Sequence, residues 1–399
     1  MGLLDALAGL PRRRFAGLAL RVARRTPGVL RASYDPEKFA IALHRADGNA
    51  TAWLYLSNVY RETASAPRAQ RRQRLAQLVR LMIAPGSTDG WAAVRPKLRP
   101  VLRPQTFGQG GPPGIRPPLS RAALPYLHEL VVVDQREAMA YVTPARLPEW
   151  GVTADEVFAA ARENLAEIAR RSLERPWPTE PAMISMIDDG DGYFTSLPLA
   201  PGWLAEVGER LGGPVLAFVP DNHTLLLCPP PADAGPLYGL VEKQFHEAVR
   251  SLSPVGYVAD PVGRVVAYAP PPGHRHEFPA RRAEAVLAAT EYGSQRDWLT
   301  SQYEQGGIDV HIGRLIAAVP PDGPAETIAT WVDGITSLLP AARLISFVRN
   351  GEVAFRVPWR RVAEHVDLRA EPLLAPARYR VDGWPPPDVM ARLRDHRTD

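Results

Sequence analysis

The chain has 399 residues, 46% of them apolar and 23% charged, so it is long enough for two or three domains and can bury a sizeable core. Its one cysteine, Cys228, excludes an intramolecular disulfide and favours a reducing compartment, which we expect to be the cytoplasm. No long apolar run occurs, and apolar residues precede the first arginines of the chain, so we expect neither a transmembrane helix nor a secretory signal peptide.

The charge is distributed unevenly along the chain. Residues 1–121 hold 21 basic and 6 acidic residues, a net charge of +15, whereas the rest holds 26 basic and 37 acidic residues, a net charge of −11. The basic part suits an anionic partner such as nucleic acid or lipid. Two alternatives stay open: the basic part docks on the acidic part of the same chain, or the asymmetry reflects only an Arg-rich composition of 44 Arg and 3 Lys.

The first segment, residues 1–31, predicts one or two short helices broken near Pro11. In the second helix four apolar residues share one face at helical spacing: Phe15, Leu18, Ala19 and Val22. Arginines lie beside or opposite this face, a pattern typical of a helix on an anionic membrane surface. The alternative is a terminal helix that covers the core and keeps its charges in water.

Two further helices are predicted before residue 84. Asp35 and Pro36 are typical of a helix start, so we expect a helix within 35–63, and another over 67–83. Four arginines crowd the first turns of the later helix: Arg68, Arg71, Arg72 and Arg74. Because these cations oppose the helix dipole, we predict that they contact an anionic partner. The alternative is a solvated helix end that tolerates a small penalty.

A Pro- and Gly-rich stretch, GQGGPPGIRPP, begins at Gly108 and is the clearest linker in the chain. It does not complete a dinucleotide-binding GxGxxG pattern, because Pro113 stands in the place of the third glycine. We therefore predict a basic, mainly helical region over 1–107 and a linker over 108–119.

Beyond the linker the sequence alternates between hairpins and helices. Three pairs of β-rich runs around short polar turns predict hairpins, at 130–142, 215–228 and 343–357. Helices are predicted at 153–173, 202–211, 237–251 and 325–339, and further strands at 262–269 and 310–319. This order predicts an α+β fold of largely antiparallel sheets with helices packed on them, divided into domains at 120–270 and 275–399.

Four segments resemble a family of uncharacterised bacterial proteins typified by YtpQ. They are LYLSNVYRE, LHELVVVDQREAMAYV, GVTADEVFAAARENL, and GYFTSLPL together with GGPVLAFVPDNHTLLLC. The likeness covers roughly residues 35–270, and the pair Asn222-His223 departs from the basic residue expected there. The resemblance implies a globular, cytoplasmic bacterial protein and brings no established activity.

No catalytic, metal-binding or cofactor-binding motif is complete. The IDDGDGYF loop lacks the glutamate that a calcium loop needs at its twelfth position, and His274 and His276 lack further metal ligands nearby in sequence. Neither a Gly-x-Ser-x-Gly elbow nor a Walker loop occurs. Three polar residues are candidates for a pocket: Asp188, Asp221 and Asn164. For Asp221 the alternative is a hairpin turn, and for Asn164 a hydrogen bond to a neighbouring loop.

Three functions are compatible with these patterns. The preferred hypothesis is a non-enzymatic protein-binding or adaptor protein, whose basic N-terminal region contributes electrostatic attraction to an unknown protein partner. The second is an enzyme of unrecognised type with a carboxylate-lined site that uses Asp188 or Asp221. The third is a non-specific binder of nucleic acid or of an anionic lipid surface through the N-terminal part, in which the arginines of 67–83 contact phosphates.

Overall fold

The computed structural model describes residues 11–36, 39–45, 52–63, 66–83, 89–109, 117–135, 138–178, 182–187, 193–229, 233–320 and 323–398. The fold is α+β, as predicted, with helices packed on largely antiparallel sheets. Within the described ranges no helix is both long and apolar enough to cross a membrane. The chain divides into two compact units: unit 1 comprises 1–94 with 134–140, and unit 2 comprises 95–133 with 141–399. The predicted domains begin and end at other residues, and their boundaries at 107, 119 and 270 stay a prediction.

Unit 1 contains a small antiparallel sheet covered by helices. Its elements are α1 (Arg12–Arg24), β1 (Val29–Asp35), β2 (Ala40–Arg45), β3 (Ala52–Tyr55), α2 (Leu56–Glu62), α3 (Arg68–Ile83) and α4 (Trp91–Val94). The strand β2 pairs with β1 on one side and β3 on the other. Both α1 and α3 pack on this sheet and on each other. Their apolar faces form one core, which includes Phe15, Ala19, Ile41, Leu75 and Val79.

The prediction of a helix that starts at Asp35 is wrong. Asp35 ends β1, the chain turns back at Phe39 with φ of 46°, and the helix α2 begins only at Leu56. The physical reason is burial: Ile41 and Leu43 are fully buried in the central strand. A buried backbone needs a partner for every polar group, and ladders on both sides supply them. This requirement outweighs the local helix-start signal, so the region before residue 107 is less helical than expected.

After α4 the chain alternates between strands and helices. The strands are β4 (Leu98–Pro104), β5 (Ser120–Leu124), β6 (Leu127–Gln135), β7 (Ala138–Tyr141), β8 (Ile184–Ile187), β9 (Leu216–Phe218), β10 (Thr224–Cys228), β11 (Gly256–Ala259), β12 (Val265–Ala267), β13 (His311–Ile312), β14 (Leu315–Ala318), β15 (Glu326–Val332), β16 (Thr336–Pro340), β17 (Leu344–Arg349), β18 (Glu352–Pro358) and β19 (Arg378–Asp382). The helices are α5 (Arg146–Trp150), α6 (Ala154–Leu173), α7 (Trp203–Arg210), α8 (Gly235–Glu247), α9 (Glu277–Gly306), α10 (Trp359–His365) and α11 (Pro387–Arg394), and 3-10 helices run over Arg95–Lys97 and Phe194–Leu199.

The strands of unit 2 form several separate sheets. In the described part of the chain their orders are β4-β6-β5 with β7 also paired to β6, β12-β11-β9-β10-β8, β14-β15-β17-β18 and β13-β16-β19. The pairings β15/β17 and β13/β16 are parallel, and the other pairings of these sheets are antiparallel. All three predicted hairpins form, and in the third Asn350 and Gly351 adopt the positive φ that a tight turn requires.

The helix predicted over 325–339 is also wrong, because this segment forms β15 and β16. Burial alternates along β15, with Thr327, Ala329 and Trp331 facing the core. This period of two is the pattern of a half-buried strand. Gly334, at φ of 71°, makes the turn between the two strands.

The helix α9 is the longest element and was not predicted. It contributes Ala283 and Leu287 to one apolar cluster, Tyr292 to a second and Leu299 to a third. Most of its buried residues recur every three or four positions, but polar side chains such as Glu291 are among them, so the apolar periodicity that identifies an amphipathic helix is weak.

The helix α6, which was predicted over 153–173, begins at a complete capping box. The backbone N–H of Glu156 donates to Thr153 Oγ1 at 3.3 Å, and the Thr153 N–H donates to Glu156 Oε2 at 2.7 Å. We expect Thr153→Ala to lower the free energy of unfolding by about 1 kcal/mol, since an orphan helix donor loses its acceptor. Thr153→Ser keeps the hydroxyl and should stay close to wild type in urea denaturation. Equal losses in both variants would show that the cap hydrogen bond contributes nothing.

Candidate anion-binding site

A groove of about 370 Å³ lies between α1 and α3 of unit 1. Its lining residues are Leu18, Arg21, Val22, Arg25, Thr26, Pro27, Arg68, Arg72, Gln73, Ala76 and Arg80. The groove follows from how the two helices pack. Each turns its apolar residues into the core, for example Ala19 and Val79, so the neighbouring positions of both helices face each other at the surface.

Arginines dominate the lining of this groove. Arg21 comes from α1 and Arg25 from its C-cap, and Arg68, Arg72 and Arg80 come from α3; all five are exposed. Among the described residues none of them forms an ion pair, and no acidic residue lines the groove. The five positive charges therefore face solvent and one another.

This arrangement is electrostatically unfavourable without an anion. Arg21, in the last turn of α1, and the C-cap residue Arg25 are four residues apart, and Arg68 and Arg72 are four apart on α3. Each such like-charge pair destabilises its helix by about 0.2–0.5 kcal/mol. Arg68 and Arg72 also lie at the positive end of the α3 dipole. A bound anion relieves both penalties, and a planar guanidinium can hold a carboxylate or phosphate with two parallel hydrogen bonds.

The structure separates the four arginines predicted to contact an anionic partner. Arg68 and Arg72 line the groove, whereas Arg71 and Arg74 are not among its lining residues. The Arg71 Nε donates to the Thr63 carbonyl at 2.8 Å. Arg74 Nη1 donates to the Gln77 side chain at 3.1 Å, and its Nη2 lies 3.6 Å from a carboxylate oxygen of Glu62. Arg71 and Arg74 therefore hold the helix to neighbouring residues of unit 1.

Sequence reasoning missed three members of the site: Arg21, Arg25 and Arg80. The pattern of α1 alone places its arginines beside the apolar face and indicates a membrane surface or solvent as their surroundings. No local signal shows that this helix packs against α3, because that contact is tertiary. The excess of positive charge before residue 122 is the one indication in the sequence that the two helices share a partner.

The candidate pocket residues lie in different places. Asp221 accepts hydrogen bonds from the His223 N–H at 2.7 Å, from Thr224 Oγ1 at 3.2 Å and from Gln244 Nε2 at 2.8 Å, so it organises the turn between β9 and β10. It also lines an open pocket of about 420 Å³ beside α8, in which Glu247 is the other carboxylate. Asn164 is not among the lining residues of that pocket, and Asp188 falls outside the described residues.

Asn164 Nδ2 donates to two main-chain carbonyls, Arg95 O at 2.7 Å and Leu98 O at 3.0 Å. These bonds use both amide protons and attach α6 to the start of β4. The geometry matches the alternative in which Asn164 forms hydrogen bonds to a neighbouring segment of the chain.

The groups with catalytic potential in unit 2 are held by structural contacts. His276 Nε2 lies 2.8 Å from Asp233 Oδ1, and the His276 N–H donates to His274 Nδ1 at 3.1 Å. Burial raises the pKa of the Cys228 thiol, which favours the protonated and less reactive form. Within the described ranges no three His, Cys, Asp or Glu side chains are arranged to hold a metal ion, and the IDDGDGYF loop lies largely outside those ranges.

Comparison with known proteins gives no relative for this chain: no protein-family model, no curated protein and no solved structure matches it. The resemblance of residues 35–270 to the YtpQ-like family therefore stays a prediction. The groove between α1 and α3 is the feature from which a function can be argued.

Proposed function

We propose that the protein is a non-enzymatic adaptor, and that it binds an acidic segment of a partner protein in the groove between α1 and α3. The observation that supports this function is the set of five exposed arginines around one groove that no described acidic residue lines. The single cysteine suits the cytoplasm as the compartment in which the partner is met.

The lining of the groove favours a protein segment over other polyanions. Leu18, Val22 and Ala76 give it apolar surface between the arginines. A peptide can match this with apolar side chains placed between acidic ones, whereas a nucleic-acid backbone cannot. The described lining residues include no aromatic side chain that could stack on a base. A recess between two helices is also poorly accessible to the flat surface of a bilayer.

The size of the groove sets the length of the segment. On α3 the lining residues run from Arg68 to Arg80, which at 1.5 Å per residue is about 18 Å. On α1 they run from Leu18 to Arg25, about 10 Å. An extended peptide of about five residues spans the longer distance. A 12-residue probe therefore covers the groove in either extended or helical form.

The test uses the full chain and a labelled peptide of four Glu-Glu-Leu repeats, with four Gln-Gln-Leu repeats as the neutral counterpart. We expect saturable binding of the acidic peptide that weakens between about 50 mM and about 300 mM salt, because exposed charge pairs are screened over a Debye length of about 10 Å. The double substitution Arg68→Gln and Arg72→Gln should weaken binding about tenfold, since each lost pair contributes about 0.5–1 kcal/mol.

The matched control is Arg360→Gln with Arg361→Gln, which changes the net charge by the same amount on α10 of unit 2. It should bind the acidic peptide like the wild type. Equal weakening in both double variants would mean that net charge alone attracts the peptide, and the groove would have no specific role. Tighter binding of a 12-base DNA strand or of anionic vesicles than of the peptide would reject a protein partner.

A further inference from the structure

Unit 2 contains a second candidate site that does not depend on the proposed function. A pocket of about 330 Å³ lies between the turn that follows β4, the strands β5 and β6, the helix α9 and the segment at 373–375. Its volume is in the range of small-molecule sites, about 300–1,000 Å³. All of its lining residues belong to unit 2.

Aromatic and proline rings form part of the wall of this pocket. Phe107 and the indole of Trp298 supply aromatic surface, and Pro117 and Pro118 supply ring surface beside them. Aromatic faces and proline rings pack well against planar ligands, with gains of about 0.5–1.5 kcal/mol for aromatic pairs beyond the area that they bury. The shape and chemistry of the walls therefore suit a planar ring.

Two polar atoms of the lining have no hydrogen-bond partner among the described residues. They are the Trp298 Nε1, a donor, and the Gln109 Oε1, an acceptor, and both are buried. The Gln109 amide is oriented by its other end, because Nε2 donates to the carbonyls of Ala375 and, at 3.3 Å, of Gln105. Since Nε2 is occupied, the oxygen is the atom of the amide that is left without a partner. Buried groups of this kind cost free energy unless they are paired.

Among the residues that the structure describes, no charged side chain lines the pocket. The other polar contributors are Ser120, Gln105, Gln302 and His128. Burial lowers the pKa of His128, so its imidazole is neutral at neutral pH. An ionic ligand would lose its hydration without gaining an opposite charge, whereas a neutral polar ligand would not.

The rim carries an unusual residue. Leu373 lines the pocket, is fully exposed at 101% relative accessibility and has a φ of 66°. A left-handed backbone costs a leucine about 1 kcal/mol or more, and an exposed side chain gains no burial in return. Such backbone strain is concentrated at ligand sites, where the strained residue contacts the ligand.

We infer that this pocket binds a neutral planar heterocycle that carries both a carbonyl acceptor and an N–H donor, the chemistry of a nucleobase or a carboxamide ring. The ring lies against Phe107 and Trp298. Its carbonyl accepts from the Trp298 Nε1–H, and its N–H donates to Gln109 Oε1. Leu373 covers the exposed side of the ring.

The full chain is titrated with two neutral probes, uridine and nicotinamide, and with benzoate, which is planar but carries a negative charge. Binding is followed by saturation-transfer NMR. We expect a Kd of about 1 mM or tighter for at least one neutral probe, as is reasonable for ligands of this size, and weaker binding of benzoate. Trp298→Phe keeps the ring and removes the donor, so it should weaken binding about tenfold. Trp177→Phe is the control, because the Trp177 N–H already donates to the Leu173 carbonyl at 3.3 Å.

A second variant covers the case in which Trp298→Phe does not fold. Leu373→Gly relieves the backbone strain, so it should fold at least as well as wild type, and it should still weaken binding because the cover is lost. The inference is overturned if no neutral probe binds at about 10 mM. It is also overturned if Trp298→Phe folds and binds the neutral probes as the wild type does.

Discussion

Arg378→Ala should lower the free energy of unfolding by about 3–5 kcal/mol, near the upper end of what a single substitution costs. The Arg378 side chain is completely buried. Its Nε donates to Gln295 Oε1 at 2.6 Å, its Nη1 to Gly313 O at 2.6 Å, and its Nη2 to Tyr292 O at 3.0 Å. Removing the guanidinium leaves these acceptors without their donor and opens a cavity beside α9.

This arginine is unusual because no described carboxylate pairs with it. Desolvation lowers the pKa of Arg378 to about 10, so the group is still a cation at neutral pH. Main-chain and amide oxygens accept its hydrogen bonds, and its guanidinium carbon lies 5.2 Å from the centre of the Tyr292 ring. Arg378→Met refills most of the volume and should recover part of the loss, but it should still unfold at lower urea than wild type because the oxygens stay unpaired. Arg380→Ala, at an exposed position of the same strand, should cost less than about 1 kcal/mol. If Arg378→Met unfolded at the same urea concentration as wild type, the hydrogen bonds of the guanidinium would not stabilise the fold.

Glu291→Gln should stabilise the protein at pH 8 by on the order of 3 kcal/mol and change little at pH 4. Burial raises the pKa of Glu291 from 4.5 to about 7, and hydrogen bonds from Thr106 only partly oppose this shift. Because the folded-state pKa lies above the unfolded value, the folded protein holds the proton more tightly. The corresponding stability is complete below about pH 4.5 and is lost as the pH rises to about 7.

The glutamine keeps the hydrogen bonds that the carboxylate accepts. The N–H and the hydroxyl of Thr106 donate to the same atom, Glu291 Oε2, at 3.1 and 3.0 Å, so one amide oxygen can replace it. The measurement is the urea midpoint of both proteins from pH 4 to pH 8. Glu304→Gln, at an exposed position of the same helix, is the control and should follow the wild type. Parallel pH profiles for Glu291→Gln and wild type would contradict the role given to burial.

The parts of the fold that carry local signals could be predicted from the sequence. The capping box at Thr153 and the Asn350-Gly351 turn use interactions between residues a few positions apart, so the residues themselves identify them. The helix α9 and the strand β2 depend on what packs around them. Ile41 is in a strand because β2 pairs with β1 on one side and with β3 on the other. The residues around Ile41 in the sequence do not indicate these pairings.

The candidate site also contains residues that a local signal identified and residues that only tertiary packing brings in. Arg68 and Arg72 were predicted because four cations at the start of one helix are unfavourable in isolation. Arg21 and Arg25 join them only through the packing of α1 on α3, which no local pattern encodes. The pocket in unit 2 was not predicted at all, since Gln109 and Trp298 are far apart in sequence and neither has a distinctive neighbourhood.

Hydrogen–deuterium exchange of the full chain shows directly whether an acidic protein segment binds between α1 and α3, because it reports which segments the bound peptide protects. The exchange is measured with and without a saturating concentration of the peptide of four Glu-Glu-Leu repeats. We predict slower exchange in the segments that contain residues 18–27 and 68–80, because the bound peptide shields and steadies these two helices. Unchanged exchange in both segments, or protection confined to other parts of the chain, would contradict the claim.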